Sequence, residues 1–509
     1  MKRFVLIALS AFLPFVPVSS QNSMTVKPGA GRVEYNPMIF GAFLEHFDNQ
    51  VYGGVFCPGS PLSDEDGFRK DVIEAVKELK VPIVRWPGGC FVSAYHWKDA
   101  VGPDRRSVWD KAWQVEDPNT FGTDEFVKWC RKVGCEPFIC TNAGTGTMEE
   151  MSDWVEYCNQ TVGKFARQRA ANGSPEPFNV KYWSIGNENW GMHELGEKSP
   201  EEWGPLVTES AKLMLSADKN IKLFAAALPD RYWTLPLLKK AGYLLDYVSI
   251  HGYWAVHDIS RGPGTYLQCV LRTGWPEDSI NNTIKILEEA GMEGRIKIAF
   301  DEWNLRGWYH PGIGNLKVGY DYQARRENDI ASTYTMADAV FTACFLNTCL
   351  RHADKVEIAC ISPIANTRGP IFVHPEGIVK RTSFYAMKMY SNDLLPYVVP
   401  TVNVVDPLPV EDDSTGVMDV LLTSDAAGKR FVCAVTNKHP EKAEPLTIDF
   451  KGMGLKTPKK VSARVLCGDS ALDYNDIGDE SVKPFDTTMT VKDGVVSVPA
   501  HSVTFLFFE

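Results

Sequence analysis

Apolar and polar positions follow one another in two regimes along this 509-residue chain. In the first, short apolar runs alternate with stretches of helical periodicity. The runs are Ile39 to His46, Pro82 to Trp86, Pro137 to Asn142, Val180 to Ile185, Ile221 to Leu228, Tyr247 to Tyr253, Arg295 to Glu302 and Val356 to Ile364. Helical spacing marks Phe68 to Lys80, where Val72, Ile73, Val76 and Leu79 share one face. It returns at Asp124 to Val133, Met148 to Arg169, Glu201 to Ser216, Glu277 to Ala290 and Arg326 to Leu350. Eight strands that each lead into a helix predict an α/β fold, a (β/α)8 TIM barrel over residues 38–393, closed by a helix from Thr382 to Tyr390.

Past residue 394 the helical period disappears. Short alternating runs separated by turn residues take over, among them Val417 to Leu422, Arg430 to Thr436, Leu446 to Phe450, Val461 to Leu466, Val495 to Val498 and Val503 to Phe508. This predicts a C-terminal all-β, jelly-roll-like sandwich domain over 394–509. Residues 21–37 are strand-like and precede the barrel, so they are expected to join that β domain.

Composition narrows the function. Hydrophobic residues at 44% and charged ones at 23% describe a globular chain rather than a disordered one. A net charge of −11 argues against nucleic acid and against anionic membrane surfaces, and leaves neutral ligands such as sugars open. Residues 1–20 pair Lys2 and Arg3 with an apolar stretch from Phe4 to Val16 and small residues at Val18-Ser19-Ser20. They read as a signal peptide for a secreted or periplasmic protein whose mature chain starts near Gln21. The twelve cysteines have neither zinc-type spacing nor a dense disulfide framework, and most are expected to be unpaired.

Two strands end in chemistry. Tyr182-Trp183-Ser184-Ile185 runs into Gly186-Asn187-Glu188-Asn189-Trp190, and Ile298-Ala299-Phe300 runs into Asp301-Glu302-Trp303-Asn304. Barrels of this kind work at the C-terminal ends of their strands. Cleaving a glycosidic bond needs one carboxyl group to protonate the leaving oxygen and a second across the anomeric carbon. Glu188 and Glu302 supply such a pair. Gly88-Gly89 and Gly144 to Thr147 lack the lysine and spacing of a phosphate loop, and the histidines lack a ligand spacing such as His-Glu-x-x-His. No cofactor and no metal is expected.

With Phe40 to Phe47 (Phe-Gly-Ala-Phe-Leu-Glu-His-Phe) and Arg85 to Asp99 (opening Arg-Trp-Pro-Gly-Gly-Cys-Phe-Val-Ser-Ala-Tyr-His-Trp), these motifs resemble glycoside hydrolase family 51. Its typical members are exo-acting α-L-arabinofuranosidases. The likeness runs from about Gly41 to Tyr390, and the β domain suits the family's appendage. The resemblance implies a retaining double displacement with Glu302 as nucleophile and Glu188 as general acid/base, the latter with a raised pKa so that it starts protonated. It also implies substrate-binding roles for Glu45, Arg85, Asn187, His251, Tyr253 and Trp308, and for Cys90, which stands where many family members carry Asn, together with an arabinose-containing glycan as substrate and a homo-oligomer. The loops at Leu305 to His310 and Thr367 to Pro370 depart from the family's usual form. They leave open another furanoside such as a galactofuranoside, or endo action on a β-1,4-glycan. A non-catalytic carbohydrate-binding protein is the alternative of another class.

Overall fold

The computed structural model describes residues 22–27, 29, 31–255, 264–306, 331–450 and 457–509. Eight parallel strands close into a barrel in simple sequence order: Gly41–Phe43, Ile83–Trp86, Glu136–Thr141, Tyr182–Ile185, Lys222–Ala226, Tyr247–Ala255, Lys297–Arg306 and Val356–Ile361. The eighth strand pairs back onto the first through Cys360–Gly41 and Ile361–Ala42, which removes both sheet edges. Inside, Phe43, Ile83, Phe138, Tyr182, Phe224 and Tyr247 fill the lumen as a packed layer. The site therefore sits on a solid floor rather than over a pore.

Among the elements that differ from their sequence reading, four bear on the site or have a clear local reason. The first strand begins at Gly41 instead of Ile39, because Asn36 and Pro37 start a 3-10 turn over Pro37–Phe40. The Asn36 side chain accepts from the Met38 N–H at 3.1 Å. The long helix read over Met148 to Arg169 is two helices, Met148–Asn159 and Lys164–Ala171. The break falls at Gly163, whose φ of 106° only glycine adopts easily, and Glu156 folds back to accept from the Phe165 N–H at 2.8 Å. A hairpin, Val108–Asp110 with Val115–Asp117, stands after the second barrel strand where no regular element was read. The helix read from Arg326 begins, among the described residues, at Met336 behind a Thr335 cap.

The β domain is a sandwich of a four-stranded and a seven-stranded sheet. Ser23–Val26 lies between Thr401–Val404 and Glu444–Asp449 in the first, and Val33–Glu34 edges the second beside Tyr397–Val399. The segment ahead of the barrel thus belongs to the sheet system that follows it. All twelve cysteines are free thiols. No helix among the described residues is long and apolar enough to cross a membrane.

Barrel and sandwich meet through the helix Met336–Arg351. Tyr390 on the closing helix donates to Asn347 Oδ1 at 2.6 Å and packs edge-on against Phe505. Asp419, on the sandwich strand Met418–Ser424, accepts from Asn347 Nδ2 at 2.8 Å and from the Arg351 guanidinium at 2.7 Å. Asp419→Ala strands both donors at this seam, and hydrogen bonds to a charged group contribute about 1.5–3 kcal/mol each. The expected loss of unfolding free energy is about 2–4 kcal/mol, seen as a fall of a few degrees in Tm, with Asp419→Asn losing less.

Candidate active site

At the C-terminal rim of the barrel, the first, second, fourth and seventh strands meet at one buried guanidinium. Arg85, fully buried at the end of the second strand, contacts Asp301 Oδ2 through Nε at 3.0 Å and Glu302 Oε1 at 2.5 Å. It also donates to Asn187 Oδ1 at 2.8 Å. Two consecutive carboxylates on a regular strand would point to opposite faces. Here the register between the sixth and seventh strands slips: Ser249 pairs with Ala299, but His251 already pairs with Glu302. That extra residue lets Asp301 and Glu302 both reach Arg85. Ser249 holds Asp301 with a 2.6 Å hydrogen bond, and Tyr253 donates to Glu302 Oε2 at 2.6 Å, with the Ser362 hydroxyl 2.5 Å from the phenol oxygen.

Glu188 stands opposite. The fourth strand ends in a turn through Gly186, at φ 71°, and Glu188 itself has φ 43°, a left-handed backbone that an L residue adopts only under constraint. The turn is tied by Asn187 N–H to Asn189 Oδ1 and by Gly191 N–H to the Glu188 carbonyl. The carboxylate is gripped by two imidazoles, His251 Nδ1 at 2.7 Å from Oε1 and His193 Nε2 at 2.6 Å from Oε2. Carboxylate oxygens of Glu188 and Glu302 and a ring nitrogen of His251 all lie within 4.8 Å of one another.

The charges follow from this packing. Burial alone would push Glu188 upward, but the hydrogen bonds from His193 and His251 hold it well below the usual carboxylate range. This corrects the expectation of a raised pKa. The sequence does not show that His193, five residues on, folds back onto the acid. Burial works against a charge on His251, and the carboxylates of Glu302 and Asp301 with the bond to Glu188 overcome it, pushing it up to about 10. Glu45, at the end of the first strand, goes the other way: burial and the facing Glu302 push it up to about 8. Its Oε1 accepts from the Phe91 N–H at 3.0 Å and from Trp113 Nε1 at 2.9 Å. Gly88 is a glycine for that reason, since a Cβ there would lie 2.2 Å from Glu45 Cγ.

Of the residues singled out from sequence, Glu45, Arg85, Cys90, Asn187, Glu188, His251, Tyr253 and Glu302 gather at this rim; Trp308 lies outside the described residues. His46 instead pairs with Asp117 at 2.8 Å and stacks on Phe91, a structural role. The reading missed Asp301, Trp113, His193, Glu194 and Ser362. Asp301 was visible beside Glu302, whereas Trp113 comes from the unread hairpin and Glu194 from the loop after the acid. Asn187 Nδ2 donates to Glu194 Oε2 at 3.2 Å.

Paired carboxylates a few ångströms apart at the mouth of a (β/α)8 barrel define the class: this is a glycoside hydrolase. Residues 75–262 match the family model for the α-L-arabinofuranosidase 1 domain, and residues 301–502 that for the α-L-arabinofuranosidase C-terminal domain. α-L-Arabinofuranosidase C of Emericella nidulans is 33% identical over 97% of this chain and 99% of its own length. An intracellular exo-α-(1→5)-L-arabinofuranosidase of Acetivibrio thermocellus is 35% identical over 71% of this chain and 74% of its own. Among solved structures, the Thermotoga maritima α-L-arabinofuranosidase in complex with arabinose superposes with a TM-score of 0.83 at 31% identity, over 96% of this chain and all of that one. The family 51 α-L-arabinofuranosidase of Bifidobacterium longum gives 0.85 at 28%, over 97% and 100%. The chain belongs to the α-L-arabinofuranosidases of glycoside hydrolase family 51.

The His251 charge has a consequence for stability. Its folded-state pKa lies above the ordinary 6.5, so the imidazolium contributes stability that is full below about pH 6.5 and lost as pH rises toward 10. The Tm of the native protein should therefore fall by several degrees between those limits. In His251→Gln that slope should flatten, whatever the variant's absolute Tm; thermal unfolding across the pH series measures it.

Proposed function

We propose that this protein is an exported, retaining, exo-acting hydrolase that removes terminal non-reducing α-L-arabinofuranosyl groups from arabinose-containing poly- or oligosaccharides. The approach of Glu188 and Glu302 to within 4.8 Å carries the mechanism. Retaining enzymes hold their carboxyl groups about 5–5.5 Å apart, whereas inverting ones keep about 6.5–9.5 Å to admit a water. The activities of the relatives support the sugar and, for the Acetivibrio thermocellus enzyme, the exo mode. The galactofuranoside, endo-glycanase and non-catalytic readings gain nothing from them. A Clostridium thermocellum family 44 endoglucanase that superposes at TM-score 0.57 shares 12% identity, a likeness of fold alone.

In this scheme Glu302, positioned by Arg85 and Tyr253, attacks the anomeric carbon. The bond to the leaving oxygen breaks and that oxygen takes a proton from Glu188, leaving a glycosyl ester on Glu302. Water then gives a proton to Glu188 while its oxygen displaces Glu302, releasing arabinose with its configuration kept. With the Glu188 pKa held low by its bonds to His193 and His251, the proton lies on the imidazole side of each. His193 is half exposed, and an aglycone that displaces it from Oε2 removes one of the two donors that keep Glu188 ionised. Glu45, whose Oε1 is already engaged, has Oε2 for a sugar hydroxyl and is a donor as well as an acceptor when protonated.

Glu302→Ala should abolish hydrolysis of an aryl α-L-arabinofuranoside. Glu188→Ala should slow it about 10²–10⁴-fold, with azide restoring turnover of an activated aryl substrate in the Glu188 variant alone. The first sugar seen by NMR should be the α anomer; the β anomer, or normal rates in both variants, would overturn the assignment. Export is supported by the leader-like residues 1–20. Intact mass of the protein recovered outside the cytoplasm should match a chain starting near Gln21, and an uncleaved chain there would count against a removable signal.

A further inference from the structure

At the edge of the sugar pocket, where His193 also touches Glu188, three dissimilar donors meet. A thiol sulfur of Cys90, a ring nitrogen of His193 and a carboxylate oxygen of Glu194 lie within 4.8 Å of one another. They come from two segments. Cys90 opens the 3-10 turn Cys90–Ala94 after the second barrel strand, and His193 and Glu194 lie on the loop that follows Glu188. The loop is bent toward Cys90 by Gly191 N–H to the Glu188 carbonyl and Glu194 N–H to the Gly191 carbonyl, at 2.8 and 2.9 Å.

We propose that Cys90, His193 and Glu194 bind one thiophilic divalent cation of the zinc class, and that its binding reversibly shuts the neighbouring active site. The donor set argues for that class. Sulfur, imidazole nitrogen and a single carboxylate suit zinc or cadmium, whereas magnesium and calcium take oxygen alone. Three protein donors leave the fourth tetrahedral position to water or a sugar hydroxyl. With zinc about 2.0–2.3 Å from each donor, the three atoms need to close by roughly 1 Å, within reach of a half-exposed imidazole. The thiol proton leaves to solvent as the sulfur–metal bond forms.

The surroundings favour a cation. Glu194 is 5% exposed, and its Oε1 makes no hydrogen bond of ordinary geometry among the described residues, although the Cys90 thiol and Ser93 hydroxyl stand beside it. Burial and the nearby Glu188 push Glu194 up to about 7, against the pull of those two groups and His193. Glu188 adds a further carboxylate to the same rim, while Asp301 and Glu302 are matched by Arg85. The entry side is open: Met192 is 88% exposed, and His193 is exposed beside it. Because His193 also touches Glu188, a metal that recruits the imidazole alters the proposed acid/base. That inhibitory consequence rests on the active-site assignment; metal binding itself does not.

The test is titration of the full-length mature protein with cadmium, following thiolate-to-metal absorption in the ultraviolet and heat by calorimetry. One equivalent should bind with a thiolate band. Cys90→Ser should lose the band, and His193→Ala, a change on an exposed loop, should weaken binding at least tenfold; Tm measurements show that each variant is folded. Zinc should inhibit aryl arabinofuranoside hydrolysis reversibly, with chelator restoring it and magnesium without effect. A band that persists in Cys90→Ser, affinity unchanged in His193→Ala, or no stoichiometric binding would overturn the site. Binding without inhibition would confirm the site and remove its proposed effect on catalysis.

Discussion

A guanidinium with no exposure to water has to be matched by negative charge, and the rim of this barrel is built around that requirement. Stripping Arg85 of solvent costs several kcal/mol in a protein interior, recovered only if its donors find well-placed acceptors. It finds Asp301, Glu302 and Asn187, which belong to the seventh and fourth strands, while Arg85 itself ends the second. The Phe43 ring of the first strand lies 5.3 Å beneath it. One side chain thus ties four strands of the ring together and positions one member of the carboxylate pair. The register slip at Ala299–Glu302 belongs to the same constraint. Without it, one of the two adjacent carboxylates would face the helices and leave the guanidinium short of charge.

Opposite this anchored group, Glu188 is held differently. It sits on a strained turn, and among the described residues its carboxylate is held by His193 and His251, side chains that can change charge. Glu302 stays in place because its partners are the permanent cation Arg85 and a tyrosine. In the proposed double displacement Glu188 alternates between proton donor and acceptor, and its imidazole partners are groups that can release or take up a proton. The asymmetry of support matches the asymmetry of roles that a double displacement asks of its two carboxyl groups.

Legibility in the sequence followed the range of the forces involved. Barrel strands were readable because a strand buried on both faces shows as a continuous apolar run, as in Val180 to Ile185. The strand ends point to Glu188 and Glu302, whereas Glu45, Arg85, Asn187, His251 and Tyr253 follow from the resemblance to family 51. Elements set by a single local contact were not readable. The break at Gly163 depends on Glu156 reaching back, and the hairpin that brings Trp113 to Glu45 has only two short strands. Ionisation state was the least readable of all, because it depends on which groups fold against a carboxyl. Burial raises Glu45, yet for Glu188 it is outweighed by two histidines, one of them on a loop with no periodic signal.

The loop after Glu188 therefore matters beyond its length. His193 and Glu194 are adjacent in sequence, but one reaches the acid/base candidate and the other accepts from Asn187, which in turn accepts from Arg85. A shift of this loop would be felt on Glu188 directly and on Glu302 through the Asn187–Arg85 relay. The anchored and the adjustable halves of the site are thus coupled by one short segment whose outer side, at Met192 and His193, faces solvent. In the proposed scheme an aglycone or a cation that engages His193 on that side changes the hydrogen bonding of Glu188.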